Sequence, residues 1–276
     1  MTIAIVTDST ADIPDELTKS FRIHVVPNLV IMDGHSYEDG KEISRQDFYE
    51  RLPAMKVPPT TSAAPFGKYR QIYYRLIKQG VQNIISIHAP AQLSGIYSAA
   101  STAAREFGER VHVLDSGQVT LGLGFQVLAA AEAVAHGATP RAILEVIDNV
   151  RRRVRVVAML DTMEYVRRSG RVSWARARLG NLLQIKPLVE LRGGQVYSMG
   201  ETRTRRKGIQ RLKELLKKLG DIERLAILHT NAEADARQFA EEVSSSLPTE
   251  PLVVNVTTVI GTHVGPNGLG FAAVVK

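Results

Sequence analysis

A serine hydroxyl at residue 94 stands where a strand gives way to a helix. The apolar run Val81–Ile87 leads into Ser94-Gly95, and an alanine-rich helical segment follows. The first turn of a helix has unpaired backbone N–H groups and a partial positive charge, so an anion such as a carboxylate is stabilised there. Ser94 would add a donor, and Gly95 would let a ligand approach the backbone. The same pattern fits a serine that only caps its own helix, which is the commoner case.

Two further segments carry groups that could bind an anion. Thr60-Thr61-Ser62 places three hydroxyls just before a helix predicted from Phe66 to Lys78. His263 lies in the glycine-rich run GTHVGPNGLG, which predicts a loop between strands where the backbone can approach a ligand closely. Each segment also has a simpler explanation, since hydroxyls before a helix are typical N-caps and residues 265–268 are ordinary turn formers. Local sequence therefore leaves both interpretations open.

Other chemistries have less support in the sequence. A hydrolase using Ser94 and His263, with Asp8 or Asp115, stays an alternative, although Ser94 is not in a Gly-x-Ser-x-Gly elbow. Neither a Gly-x-Gly-x-x-Gly after the first strand nor a Gly-x-x-x-x-Gly-Lys-Ser/Thr loop occurs, so no dinucleotide or ATP site is predicted. Cysteine is absent and no His/Asp/Glu cluster has ligand spacing. We expect no metal and no cofactor.

The elements that must position these residues alternate between strand and helix in the first half. Apolar runs at Thr2–Thr7, Val81–Ile87 and Val111–Leu114 each end in polar residues and precede a helical segment. This alternation predicts right-handed βαβ units in a parallel sheet, where ligands bind at the carboxyl ends of the strands.

The second half predicts a different sheet. Strand-like runs flank Gly193-Gly194 as in a hairpin, a helix is predicted from Trp174 to Leu183, and strands from Val253 to Thr258 and from Gly270 to Val275. The fold class is therefore α/β with two domains. We predict a three-layer domain with a parallel sheet over residues 1–153 and an α/β domain with a mixed sheet over residues 154–276.

Charge is unevenly distributed along the 276 residues. The formal net charge is +7, yet residues 151–213 alone hold 17 Lys/Arg against 4 Asp/Glu. This imbalance favours a basic face for an acidic or phosphate-bearing partner, or simply a solvated surface. Few aromatic residues accompany the basic ones, so nucleic-acid binding is not predicted.

The sequence also predicts a compartment. The chain turns polar within seven residues of its start, and its most apolar helical stretch, near Phe125 to Ala135, is too short to span a bilayer. We therefore expect a soluble, cytoplasmic protein, which is compatible with transient contact with a membrane.

Short segments spread over the whole chain resemble the DegV family, whose members bind fatty acids. In order, they are Val6–Asp12, Val25–Gly40, Thr60–Ser62, Ser94–Ala99, Val113–Ser116, Gly170–Ser173, Ile185–Pro187, Arg203–Arg205 and Ile260–Pro266. Each segment is weakly specific by itself, but their common order from end to end is specific.

The resemblance implies a long-chain fatty acid in an apolar tunnel between or within two α/β domains. It implies that Thr61 and Ser94 hydrogen-bond the carboxylate, that His263 lies nearby and that Ser62 is a second hydroxyl. The protein would then be a lipid carrier and not an enzyme in its own right.

The resemblance also implies a partner. Some family members are the acyl-binding subunit of a bacterial fatty acid kinase and present the carboxylate to a separate ATP-binding protein, which makes acyl phosphate for phospholipid synthesis. Arg171 and Arg203 resemble the basic residues that serve the phosphoryl transfer or the docked kinase.

The sequence departs from the family pattern at three places. Ala63-Ala64-Pro65 stands where Gln-Pro-Ser is frequent, Ile96 where threonine is frequent, and Asn267-Gly268 where Gly-Ala is usual. These positions affect pocket walls and loop shape more than the hydroxyls. They therefore put the preferred chain length in question.

Overall fold

The computed structural model describes residues 2–177, 185–245, 247 and 249–276. The strands are β1 (Ile3–Asp8), β2 (His24–Val26), β3 (Leu29–Met32), β4 (His35–Glu38), β5 (Thr60–Ser62), β6 (Asn83–His88), β7 (Val111–Asp115), β8 (Val154–Met159), β9 (Lys186–Arg192), β10 (Gln195–Thr202), β11 (Ile222–His229), β12 (Leu252–Asn255) and β13 (Leu269–Val275). The α-helices are α1 (Asp15–Ser20), α2 (Arg45–Arg51), α3 (Phe66–Lys78), α4 (Ile96–Ala104), α5 (Leu121–Ala135), α6 (Pro140–Arg153), α7 (Glu164–Ser169), α8 (Ser173–Ala177), α9 (Arg205–Lys217), α10 (Glu233–Ser244) and α11 (Thr258–Val264).

The predicted parallel sheet is present near the start of the chain. Its strand order is β2-β1-β6-β7, with every neighbouring pair parallel. The central strands are almost continuously apolar because both of their faces are covered by helices. The carboxyl ends of β1, β6 and β7 carry Asp8, His88 and Asp115, so polar side chains collect at one edge of this sheet.

The second sheet is mixed, as predicted. Its order is β10-β9-β8-β13-β11-β12, and within it only β11 and β12 run parallel. The hairpin predicted at Gly193-Gly194 joins β9 to β10. The chain is thus an α/β protein with one parallel and one mixed sheet.

Helix α5 lies between the two sheets. It contacts β1 and β6 of the parallel sheet and β8 and β13 of the mixed sheet. All residues from Leu121 to Ala131 are buried, and Gln126 is the one polar side chain among them, so this part of the helix has no solvent-exposed face. A helix that is apolar all round is one that is covered on every side. The largest apolar core therefore includes residues from both sheets, and the domain boundary at 153/154 stays a prediction.

A small antiparallel sheet, with order β4-β3-β5, was not predicted. Thr60–Ser62 form its edge strand β5 and do not cap α3, which begins after Pro65 without a side-chain cap. Of the two interpretations left open for these hydroxyls, the one as helix caps is therefore wrong. Pairing with β3 holds Thr61 opposite Val30, and that contact cannot be inferred from local sequence.

The segment around His263 also differs from its prediction. The strand predicted from Val253 to Thr258 ends at Asn255, and the predicted loop is the helix α11, with His263 in its last turn. Thr258, Val259, Ile260 and Thr262 are β-branched residues that favour strands. Tertiary contacts override that preference here. The helix predicted from Trp174 to Leu183 is described only as α8, Ser173–Ala177, and its remainder lies outside the described residues.

Candidate functional site

A cavity of about 200 Å³ opens between the carboxyl edge of the parallel sheet and the mixed sheet. Most of its lining residues are aliphatic, for example Leu93, Val156, Val189 and Leu228. The polar lining residues include Thr61, Ser94, Arg171 and His263. An apolar cavity with a few polar groups is the usual form of a small-molecule site.

Thr61 and His263 are brought together in the wall of this cavity. Thr61 Oγ1 lies 2.8 Å from His263 Nε2, a hydrogen-bond distance. The strand β5 supplies the threonine and the helix α11 supplies the histidine. Two segments far apart in the chain thus build one polar position.

His263 is a neutral ring in this environment. Burial lowers its pKa, the positive charge of Arg171 lowers it further, and together they bring the pKa to about 4. At neutral pH the ring therefore presents one N–H donor and one acceptor nitrogen. Arg171 is exposed at the cavity wall, where Arg171 Nη1 donates to the carbonyl of Ser169 at 2.7 Å.

Ser94 lines the same cavity just before α4. Its hydroxyl accepts a hydrogen bond from the Ile96 N–H at 3.3 Å, and Gly95 is the N-cap residue of the helix. Ser94 therefore does contribute to the start of its own helix. Its O–H proton stays available to a ligand, because a hydroxyl can accept and donate at the same time.

The remaining predicted residues lie elsewhere. Ser62 is exposed on β5, outside the cavity lining, and its hydroxyl donates to the carbonyl of Ala63 at 3.1 Å. Arg203 is an exposed residue between β10 and α9, also outside the lining. The structure thus brings Thr61, Ser94, His263 and Arg171 to one cavity and leaves Ser62 and Arg203 outside its wall.

A buried network around Asp8 positions the segment that carries Thr61. Asn28 Nδ2 donates to Asp8 Oδ1 at 3.0 Å, and the Ala64 N–H donates to Asn28 Oδ1 at 3.2 Å. Burial raises the pKa of Asp8, but the hydrogen bond and the electrostatic interaction with His88, together with hydrogen bonds from Thr10, outweigh burial and hold this pKa below its usual range. The charged carboxylate can therefore act as a fixed acceptor for this network.

A second buried network anchors the start of α11. Asp39 accepts hydrogen bonds from the hydroxyls of Thr257 and Thr258, and Asp12 Oδ1 accepts from the Thr257 N–H at 2.8 Å. The Tyr49 hydroxyl donates to the carbonyl of Val256 at 2.9 Å. These contacts hold α11, and hence His263, against the N-terminal half of the chain.

Several polar lining residues were not predicted. Thr10, Thr120, His229 and Thr230 also face the cavity. Thr10 lies in the predicted polar turn after β1, so that signal was available. Thr120 lies at the start of α5 and His229 at the end of β11. No local sequence pattern identifies either residue as part of a binding site.

The arrangement gives no hydrogen bond between Ser94 and His263. In the described part of the chain, His263 Nε2 is bonded to Thr61, and the Ser94 hydroxyl is bonded to the Ile96 N–H. A serine hydrolase needs its nucleophile and base within hydrogen-bond reach. Among the described residues there is also no group of three or more His, Asp or Glu side chains that could hold a metal ion.

The whole chain matches one protein family. Residues 2–276 fit the model of a family described as uncharacterised DegV proteins. The chain belongs to the DegV family. It is 35% identical over 276 residues to protein DegV of Bacillus subtilis, an alignment that covers 98% of both chains. A DegV domain-containing protein of Deinococcus radiodurans is also 35% identical, over 99% of this chain and 98% of its own.

Solved structures of DegV proteins have the same fold. A DegV family protein from Thermus thermophilus, described for its fatty acid binding, has a TM-score of 0.93 and 31% identity over all of both chains. DegV of Bacillus subtilis, described as a fatty acid binding protein, has a TM-score of 0.88 and 33% identity, again over all of both chains. Within its described residues, this DegV chain contains no helix that is both long and apolar enough to cross a membrane.

Proposed function

We propose that this DegV-family protein binds one long-chain fatty acid, with the tail in the apolar cavity and the carboxylate at Thr61, Ser94 and His263. The observation that carries the proposal is that these three groups, from three separate segments of the chain, line one cavity whose other lining residues are mainly aliphatic, and that two of them are hydrogen-bonded to each other. The similarity of this chain to solved structures described as fatty acid binding supports the same ligand class.

The apolar lining of the cavity suits the tail of such a ligand. Each CH₂ group transferred from water to an apolar wall gains about 0.8 kcal/mol. A chain of roughly a dozen carbons therefore gains on the order of 10 kcal/mol before entropic costs. The aliphatic part of the wall provides that gain.

The polar lining residues would provide hydrogen-bond partners for the carboxylate of the ligand. A carboxylate next to an apolar cavity costs several kcal/mol if it has no partner. The hydroxyls of Thr61 and Ser94 can donate hydrogen bonds to a charged acceptor, each worth about 1.5–3 kcal/mol, when His263 Nε2–H donates to the Thr61 oxygen. The positive charge of Arg171 at the same wall adds long-range stabilisation. Ser62, exposed on the same strand as Thr61, would contribute only at the entrance.

The proposal extends to a partner. The sequence has no phosphate-binding loop of its own, so any phosphorylation of the bound carboxylate needs a separate ATP-dependent kinase subunit. The exposed guanidinium groups of Arg171 and Arg203 would offset the negative charge that develops during phosphoryl transfer, or bind the kinase. In this role the protein is a non-catalytic, cytoplasmic subunit of a fatty acid kinase in phospholipid synthesis.

Native mass spectrometry of the freshly purified protein tests the lipid-binding function. We expect an additional mass of one fatty acid per chain, and saturable rebinding of stearate after delipidation. Methyl stearate is the matched control, because it has the same tail but no carboxylate and should bind more weakly. A protein that retains no lipid and shows no saturable stearate binding would contradict the proposal.

The kinase role needs its own test. Stearate-loaded protein, mixed with an ATP-binding fatty acid kinase subunit and ATP, should give acyl phosphate. Arg203→Ala should lower that rate while leaving stearate affinity unchanged. If the loaded protein supports no acyl phosphate formation, the partnership is wrong, whereas the lipid-binding function is unaffected.

A further inference from the structure

Two polar side-chain groups on the cavity wall have no hydrogen-bond partner in the described part of the chain. One is the Thr120 hydroxyl, a buried group at the start of α5, and the other is Nε2 of His229, at the end of β11. Both residues line the cavity, and each is only 4% exposed. Neither residue lies in an element that builds the proposed carboxylate position. That position is built from β5, which carries Thr61, from the start of α4, which follows Ser94, and from α11, which carries His263.

Thr120 is held in an unusual backbone conformation. Its φ is 51° and its ψ is −147°, a region that a β-branched residue rarely adopts. Its backbone is fully used, since the N–H donates to the Thr10 carbonyl at 2.7 Å and the carbonyl accepts from the N–H groups of Leu123 and Gly124. Only the side-chain hydroxyl is unpaired. A strained residue with an unpaired buried group, on the wall of a cavity, is a candidate for ligand contact.

His229 presents a donor of fixed position. The Ala232 N–H donates to His229 Nδ1 at 3.2 Å, so Nδ1 is the acceptor nitrogen and the ring proton is on Nε2. Burial is the main cause that lowers the pKa of His229, to about 4, and this keeps the ring neutral at neutral pH. Its Nε2–H therefore stays a donor without introducing a charge.

Leaving the Thr120 hydroxyl unpaired is unfavourable. A buried polar group without a partner loses its hydrogen bonds to water and gains none in return. The aliphatic residues around the cavity cannot supply a partner. An oxygen atom carried by the ligand can, because it accepts from His229 Nε2–H, and a hydroxyl can in addition donate to Thr120 Oγ1.

We propose that Thr120 and His229 form a second polar position in the cavity that recognises an oxygen function on the acyl chain, as in hydroxy or oxo fatty acids. This inference rests on the proposed fatty acid function and names a ligand class within it. It makes the cavity selective for oxygenated chains whose substituent reaches one of these two groups.

Binding of hydroxystearic acids that differ only in the carbon bearing the hydroxyl tests the inference. With delipidated protein, we expect at least one isomer to bind about fivefold more tightly than stearate. Thr120→Val keeps the branched shape and removes the hydroxyl, and His229→Asn keeps an acceptor for the Ala232 N–H and removes the Nε2–H. At least one of these variants should abolish the preference while still binding stearate.

Thr7→Val is the matched control. It also removes a buried threonine hydroxyl, which donates to the Ile87 carbonyl, but Thr7 is outside the cavity lining, so the preference should persist. If stearate binds but no isomer gains affinity, for example because water already occupies the position, this inference alone is wrong. If stearate itself does not bind, the fatty acid function is wrong and the inference falls with it.

Discussion

Thr61 and His263 are separated by 202 residues in the chain and joined by a hydrogen bond of 2.8 Å. When Nε2 of the histidine carries the ring proton and donates to the threonine oxygen, the threonine O–H is directed to another acceptor. A carboxylate at the cavity mouth would be that acceptor. The pair thus orients a hydroxyl donor without placing a permanent charge beside the apolar wall.

Ser94→Ala should weaken fatty acid binding about tenfold or more, because the variant loses a hydrogen bond to a charged group. Ser62→Ala is the control, since Ser62 is exposed and outside the cavity lining. Competition with a fluorescent fatty acid measures both. Equal losses in the two variants would contradict the assignment of Ser94.

Thr61→Ser and Thr61→Val separate the hydroxyl from the shape of the side chain. Serine keeps the hydroxyl that bonds His263, whereas valine keeps the branched form and leaves the imidazole without this partner. We expect near wild-type affinity for Thr61→Ser and a loss of about tenfold for Thr61→Val, measured by isothermal titration calorimetry. The opposite order would show that packing, and not hydrogen bonding, is what Thr61 provides.

The low pKa of His263 predicts a loss of stability in acid. In the folded protein this pKa is about 4, whereas in the unfolded chain it is near 6.5. As the pH falls from about 7 to 4, the unfolded state binds a proton that the folded state does not, so the free energy of unfolding falls by up to ~3 kcal/mol.

His263→Gln should reduce that acid dependence. Glutamine can still donate to Thr61 but does not titrate. Urea unfolding at pH 5 and pH 7 gives the comparison, and a variant with the same pH dependence as the wild type would refute the argument.

Asp12 predicts the opposite pH dependence. Burial is the largest cause that raises its pKa, to about 7; the positive charge of Arg45 opposes the shift and the negative charge of Asp39 adds to it. The folded state therefore holds a proton that the unfolded state has released above pH 4. The stability due to this carboxyl is present below pH 4 and is lost as the pH rises through 7.

Asp12→Asn isolates this effect. The variant keeps an acceptor for the Thr257 N–H but cannot ionise. We expect its free energy of unfolding, relative to wild type, to increase by more than ~1 kcal/mol between pH 5 and pH 8. A difference that is constant over that range would mean that Asp12 does not titrate there.

Gly261→Ala should destabilise the protein through α11. An added Cβ would lie 2.3 Å from the Tyr49 hydroxyl, and overpacking of this kind costs about 1–3 kcal/mol. Gly67→Ala in α3 is the control, because nothing lies within 4 Å of its added Cβ and alanine favours a helix. Thermal unfolding should show a lower midpoint for the first variant and an equal or higher one for the second.

The parallel sheet could be predicted from the sequence because its signal is local. Each of β1, β6 and β7 is an apolar run followed by a polar turn and a helix, and the chain order of such units fixes the sheet type. The small sheet β4-β3-β5 gave no such signal. Its strands are short, β4 is largely polar, and only their mutual pairing defines them.

The candidate site was predictable only in part for a similar reason. Thr61, Ser94 and His263 could be selected by resemblance, and the position of Ser94 before a helix could be predicted locally. The local structures of Thr61 and His263 could not, since β5 forms by pairing with β3 and α11 is held by the contacts of Asp12, Asp39 and Tyr49. Thr120 is exceptional by its backbone angles, which a sequence does not reveal. The features that could not be predicted are those that arise from contacts between segments far apart in the chain.

The position of α5 restricts how this chain can vary. An added Cβ would lie 2.5 Å from a Val156 side-chain atom at Gly122, and 2.6 Å from the Ala11 carbonyl oxygen at Gly124. The two glycines therefore let one helix closely approach both the mixed sheet and the turn that follows β1. A recombinant that joined the first 153 residues of this protein to the remainder of a distant relative would have to match two surfaces simultaneously. We expect the two halves to be inherited together.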